Sequence, residues 1–170
     1  LGIDQIDYFG AHTGANIGIE LALRHPSRVR RLVLDGVLLI NAETRAHYLA
    51  HYAPKMQPDQ HGGYLQWAYQ FCRDMMLFFP YFERTPANLT GNGVPDPAAL
   101  HAMVVDVLKA LTTYHSAYNA AFSHQTAERL AMVSHPVLLS CSVRDPLHSH
   151  IPRAAEILPS AQTHLHGLTT

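Results

Sequence analysis

"DYFGAHTGANIGIELA", residues 7–22, is the stretch on which the fold turns. Its first part belongs to a short apolar run, Ile6 to Phe9, closed by Gly10, and reads as a buried strand. Its second part carries Ala15, Ile17, Leu21, Ala22 and Leu23, one face of a helix that ends near His25-Pro26. Between the two, Gly10 and Gly14 bracket a tight turn with His12 at the tip. A strand and a helix that approach so closely need neighbours without bulk, and the tip residue takes a strained backbone conformation. The helix N-terminus then aims its free N–H groups at the same point.

Working outward, "VRRLVLDGVLLI" (29–40) reads as a second buried strand with Asp35-Gly36 at its end. Strand, helix and strand within about 35 residues predict a parallel βαβ unit with a right-handed crossover. From 41 to 130 the pattern becomes helical. "GYLQWAYQFCRDMMLFF" spaces Tyr64, Trp67, Ala68, Phe71, Cys72, Met75, Met76 and Phe79 as an amphipathic stripe. Asp96-Pro97 opens a further helix, with Asp96 as N-cap and Pro97 in the first turn. A third helical stretch covers "YHSAYNAAFSHQTAERL". Strand texture returns in "HPVLLSCSVRDPL", followed by a short helix and a last strand near Gln162 to His166.

The bulk properties narrow the function class. The 170 residues suffice for one domain with a buried core, and 48% hydrophobic against 15% charged residues argues for a globular chain. A formal charge of −1 without a basic stripe argues against nucleic acid as partner and favours a small apolar molecule. No run approaches the roughly 20 apolar residues of a membrane helix, and no export signal opens the sequence. Cys72 and Cys141 lie in apolar runs and make no disulfide framework, which points to a reducing, cytoplasmic setting. No cofactor motif is present. The first residue is Leu1, which suggests a fragment or processed chain.

Gly10-Ala11-His12-Thr13-Gly14 has the glycine spacing of the G-x-S-x-G nucleophile elbow, with histidine in the serine position. Together with Pro26-Ser27-Arg28-Val29, Leu32-Val33-Leu34 and "PVLLSCSVRDPL", it makes the sequence resemble the α/β-hydrolase superfamily over almost its whole length. "WAYQFCRDMMLFFPYFERTP" is similar to the cap of a subgroup whose elbow reads "HTG". The resemblance implies an α/β fold, a partial α/β-hydrolase fold: a parallel sheet with flanking helices, core parts at 1–40 and 131–170, and a helical cap insertion at 41–130. It maps the triad acid onto Asp145. The strands that precede the elbow in that family, one of whose loops supplies half of the oxyanion hole, are missing here. The triad histidine is expected near or beyond Thr170, with His166 the nearest candidate, slightly early before Gly167.

An imidazole at the tip has no hydroxyl to attack with, yet in its neutral form it is a nucleophile or a base. Its reference pKa is about 6.5, and a helix N-terminus disfavours added positive charge, so His12 is expected to lean neutral. Three readings stay open. His12 acts as nucleophile or base in hydrolysis of a small apolar ester, amide or epoxide, with the Thr13 backbone N–H stabilising an oxyanion. The site is a degenerate one that binds without turnover. Or His12 is the base of a lyase, since one fold hosts many chemistries.

Other residues are weighed against plainer roles. Asp145 precedes Pro146 and suits a turn as well as an acid. Asp35 could be a displaced acid, but a turn with Gly36 accounts for it. Cys141 reads as core. His148 and His150, and His164 and His166, are spaced for chelation, but no third ligand group is evident, so no metal is expected. His47 and His51 read as a solvated helix face. Trp67, Phe71 and Met75 form a packing face that in a cap would also line an apolar substrate pocket, with Tyr114 and Tyr118 beside it.

Overall fold

The computed structural model describes residues 2–167. In chain order the elements are β1 (Ile6–Ala11), α1 (Thr13–Arg24), β2 (Val29–Asp35), α2 (Ala42–His51), α3 (Gly63–Leu77), α4 (Pro97–Lys109), α5 (Tyr114–Ser123), α6 (Thr126–Leu130), β3 (Val137–Ser142), α7 (Ile151–Ile157) and β4 (Gln162–His166). They fall into two compact units: one built from the residues up to Asn41 and from His124 onward, the other from Ala42–Ser123.

The first unit is a four-stranded parallel sheet in the order β1-β2-β3-β4. The two inner strands carry the core: Val29, Leu32 and Leu34 on β2, and Val137, Leu139 and Cys141 on β3, are all buried. That burial is why apolar residues dominate Leu32–Leu34 and Val137–Leu139, while Arg30 and Arg31 at the start of β2 stay exposed. The outer strands are more open, and Phe9 on β1 is 63% exposed. Ala11, Asp35, Ser140 and His164 stand in register across the four strands, which sets three polar residues in one row towards the carboxyl edge.

The helix face differs from the expectation in one respect. Ile17 is 57% exposed, and α1 buries Ala15, Asn16, Gly18, Ile19 and Ala22 instead. The close approach at the turn explains it. The Tyr8 ring lies beneath α1, and a Cβ on Gly18 would come within 2.5 Å of it. The helix therefore presents its small residues to the strand, and the bulkier Ile17 faces away.

The second unit is helical. The Asp96 carboxylate accepts the backbone N–H groups of Ala98 and Ala99 at 3.0 and 3.2 Å, capping α4 as its position before Pro97 predicts. The third helical stretch is two helices broken at His124-Gln125: α5 ends the second unit, and α6 belongs to the first. Tyr48, Tyr52, Phe71, Tyr81 and Phe122 are buried and meet ring to ring, mostly edge-on, at centroid distances such as 4.7 Å for Phe71–Tyr81 and 4.8 Å for Tyr52–Phe122.

Candidate active site

His12 joins β1 to α1 with φ +50° and ψ −110°, the one non-glycine residue with positive φ among those described. The strain is held from three sides. Its N–H donates to the Asp35 carbonyl at 2.8 Å, and its own carbonyl accepts from Ala15 N at 2.9 Å. Tyr8 Oη donates to the Gly14 carbonyl at 2.8 Å, tying the first turn of α1 to β1. Gly10 has no alternative: a Cβ there would lie 2.3 Å from the Gly14 oxygen. Thr13 is the first residue of α1, so its N–H has no partner one turn earlier in the helix.

The His12 imidazole is half-exposed and its Nε2 lies 2.7 Å from Asp145 Oδ2, across 133 positions of sequence. A carboxylate can only accept, so Nε2 carries the proton and donates. The other carboxylate oxygen, Oδ1, accepts the Leu147 N–H at 2.8 Å and caps the turn Pro146–His150. The turn role and the pairing role of Asp145 are therefore compatible, one oxygen each. The hydrogen bond to Asp145 raises the His12 pKa above its ordinary value against the opposing effect of burial, with the Asp35 charge adding to the rise. The shift runs opposite to the one expected from the helix N-terminus, because a carboxylate in contact outweighs a helix dipole. Burial pushes the Asp145 carboxyl up, but the hydrogen bonds from His12 and Leu147 outweigh it and hold the pKa below the ordinary value.

His166 does not meet Asp145. Its Nε2 donates to Asp35 Oδ2 at 3.2 Å, with both side chains largely buried, and its Nδ1 is buried without a hydrogen-bond partner among the described residues. Asp35 is thus more than the turn residue it was expected to be. The expected triad position near or beyond Thr170 lies outside the described residues. Two imidazole–carboxylate pairs therefore share one sheet edge, His12 with Asp145 and His166 with Asp35.

Trp67, Phe71 and Met75 all lie on α3. Phe71 is buried, stacks on Trp67 at 5.3 Å and packs edge-on against Tyr114 at 5.0 Å, while Tyr118 Oη donates to Met75 Sδ at 3.9 Å. Cys72 and Cys141 are buried thiols, pushed up by burial to about 11 and about 12. No cluster of three or more potential metal ligands occurs among the described residues, and no described helix is long and apolar enough to cross a membrane. His150 Nδ1 accepts the Leu39 N–H at 2.9 Å, a structural use of a loop histidine. Sequence reasoning gave Tyr8 only a place in a strand and Gly36 only a turn with Asp35. Both were signalled only by what lies next to them in space.

No protein-family model matches this sequence, and no curated protein matches it significantly. Solved structures do match. A hydrolase from Pseudomonas aeruginosa PA01 superposes with TM-score 0.60 at 18% identity, over 96% of this chain and 57% of its own. A serine hydrolase from the polyaromatic-hydrocarbon-degrading bacterium Cycloclasticus zankles gives 0.56 at 19%, over 97% and 56%. A bromoperoxidase from Bacillus anthracis gives 0.60 at 11%, over 96% and 59%. The chain thus spans less than two thirds of each of these structures. At such identities the likeness speaks for architecture alone, and with its parallel sheet and flanking helices the chain has part of the α/β-hydrolase fold.

Proposed function

We propose that this chain is part of a hydrolase in which His12, oriented by Asp145, is the working base on a small apolar ester, amide or epoxide. The observation that carries the reading is the 2.7 Å Nε2–Asp145 contact at a strained turn tip. Donation from Nε2 leaves Nδ1 as the nitrogen with a lone pair. For an ester, Nδ1 takes a proton from water as the water oxygen bonds to the carbonyl carbon, and the carbonyl electron pair moves to oxygen. The Thr13 N–H faces that oxyanion. Collapse restores the carbonyl, and the leaving alkoxide takes the proton from Nδ1. Asp145 remains ionised throughout and stabilises the imidazolium between the two steps.

The test is hydrolysis of a p-nitrophenyl ester panel by the full-length protein. His12→Ala is expected to lower kcat/KM by about 10²–10⁴-fold, whereas His25→Gln, at the opposite end of α1, leaves it unchanged. Because the base must be unprotonated, activity rises with pH through the His12 pKa, which lies above the ordinary imidazole value. A flat profile, or activity surviving His12→Ala, refutes the assignment.

The raised pKa also favours a second reading, since an imidazolium held by Asp145 is a binding group and no nucleophile. A protein that binds a small apolar ligand with an acceptor group would show saturable binding, lost in His12→Ala, and no turnover on any ester. A lyase that uses His12 as base would turn over substrates without hydrolysable bonds.

A further inference from the structure

His12 lies against Gly36, the residue that follows β2. A Cβ on Gly36 would fall 2.4 Å from His12 Cδ2 and 2.9 Å from Nε2, so the Cδ2–Nε2 edge of the ring occupies the place of a side chain. Gly36 has φ +66°, and its N–H donates to the Ser140 carbonyl at 2.8 Å, which fixes it against β3. The preceding residue, Asp35, accepts the His12 N–H on its main-chain oxygen, while its carboxylate takes the His166 Nε2–H. The tip residue is therefore held at its backbone by Asp35 and at its ring by Gly36.

We propose that Asp35-Gly36 is the positioning element of the tip imidazole, the seat that selects its Nε2–H form and turns Nδ1 towards substrate. Two alternatives are open to a histidine ring, and the seat distinguishes them. With the Cδ2–Nε2 edge against Gly36, Nε2 reaches Asp145 and the Nδ1–Cε1 edge is the one left to face outward. A residue with a side chain at 36 would displace the ring and break that assignment. The acidic groups facing His12 are Asp145, from the segment after β3, and Asp35, from β2. Behind them stand His148, whose Nδ1 donates to the Asp145 carbonyl, and His166 on Asp35. Asp35 therefore also contributes its charge to the ring it anchors. The consequence for catalysis rests on His12 being the working base. The orientation of the ring does not, and can be read without turnover.

The experiment is a pH titration of the ¹⁵N-labelled histidine rings in the full chain, with His12 assigned by its loss in His12→Ala. The wild-type chain is expected to show a single Nε2–H tautomer above the His12 pKa. Gly36→Ala converts it to a mixture of tautomers, and Asp35→Asn moves the titration to lower pH by removing a negative charge. The denaturation midpoint falls further on Gly36→Ala in the wild type than in His12→Ala, where the ring no longer occupies the space. Should Gly36→Ala alone not fold, recovery of folding in the His12→Ala background is the expected result. An unchanged tautomer in Gly36→Ala, an equal midpoint loss in both backgrounds, or no recovery overturns the proposal. If the tautomer and titration behave as expected but no ester is turned over, the seat stands and the hydrolase reading falls.

Discussion

Asp74 in the helical unit and Asp145 in the sheet unit are both withdrawn from water, at 0% and 9% side-chain exposure, but their partners differ. Asp74 is flanked by two guanidinium groups: Arg73 donates Nε–H to Oδ1 at 2.8 Å, and Arg84 Nε lies 2.7 Å from Oδ2, close enough for an ion pair though off the hydrogen-bond axis. Asp145 has one half-exposed imidazole. A guanidinium keeps its proton at every working pH, so the first cluster is a fixed joint between the end of α3 and the loop behind it. An imidazole gives its proton up near neutrality, so the second pair can change state. One arrangement suits a structure that must not move, the other a site that must handle protons.

The largest effect is expected where the charge is permanent. Arg73→Met together with Arg84→Met leaves a fully buried carboxylate uncompensated, and unfolding by urea should show a loss of about 3–5 kcal/mol. Neither guanidinium titrates between about pH 6 and pH 9, so the wild-type cluster keeps its positive charges over that range. A loss of under about 1 kcal/mol, the scale of an exposed ion pair, would break the contrast with Asp145.

Glu20 lies between these extremes. Arg129 grips it through Nε at 2.6 Å and a second guanidinium nitrogen at 3.0 Å, and His124 adds a contact at 3.1 Å, so α1 is joined to α6 and the residues just before it. The hydrogen bond from Arg129, against the effect of burial, lowers its pKa to about 2. With the folded value below the unfolded one, its stabilisation is present above the unfolded pKa and is lost as pH falls towards 2. Glu20→Gln should cost about 1–2 kcal/mol near neutrality. Wild type and variant should converge in acid unfolding between roughly pH 4.5 and pH 2.

What could be read from the sequence follows the range of the forces involved. The glycine spacing around His12, the Asp96-Pro97 cap and the apolar run of β3 are local, and each is set by a handful of neighbouring residues. The parallel sheet followed from the same patterns. Asp145 as the partner of His12 came from resemblance, since across a separation of 133 positions no periodicity would pair them. The contact of Asp35 with His166 spans 131 positions and was missed, because Asp-Gly at a strand end has an adequate local explanation as a turn. Tyr8 under α1 was read only as part of an apolar strand, although its hydroxyl secures the helix start. The break between α5 and α6 at His124-Gln125 has no proline or glycine to mark it. There His124 and Arg129 are drawn to Glu20, a demand of tertiary structure that periodicity does not record.

The smallest effect, and the one most specific to the site, is the stability contributed by the His12–Asp145 pair. His12 has a raised pKa in the folded chain, so its share is complete below the ordinary imidazole value and fades as pH climbs through the folded one. Asp145 has a lowered pKa, so its share is complete above the ordinary carboxylate value and is lost as pH falls through the folded one. Both conditions hold together only in a window from roughly pH 4 to pH 6.5. Asp145→Asn keeps the shape and can still cap the Pro146–His150 turn through its amide oxygen, while an amide N–H replaces the charged acceptor that faces His12 Nε2. Half-exposure of the imidazole screens the pair, and the expected cost inside the window is about 1 kcal/mol. Above the folded His12 pKa the neutral ring can carry its proton on Nδ1 and accept the amide N–H on Nε2, and the difference should shrink to a fraction of that. Urea midpoints of the two proteins across this range decide the matter. A gap that is widest near pH 5 marks a pair that changes protonation with the site, whereas a constant gap would make Asp145 a second Asp74.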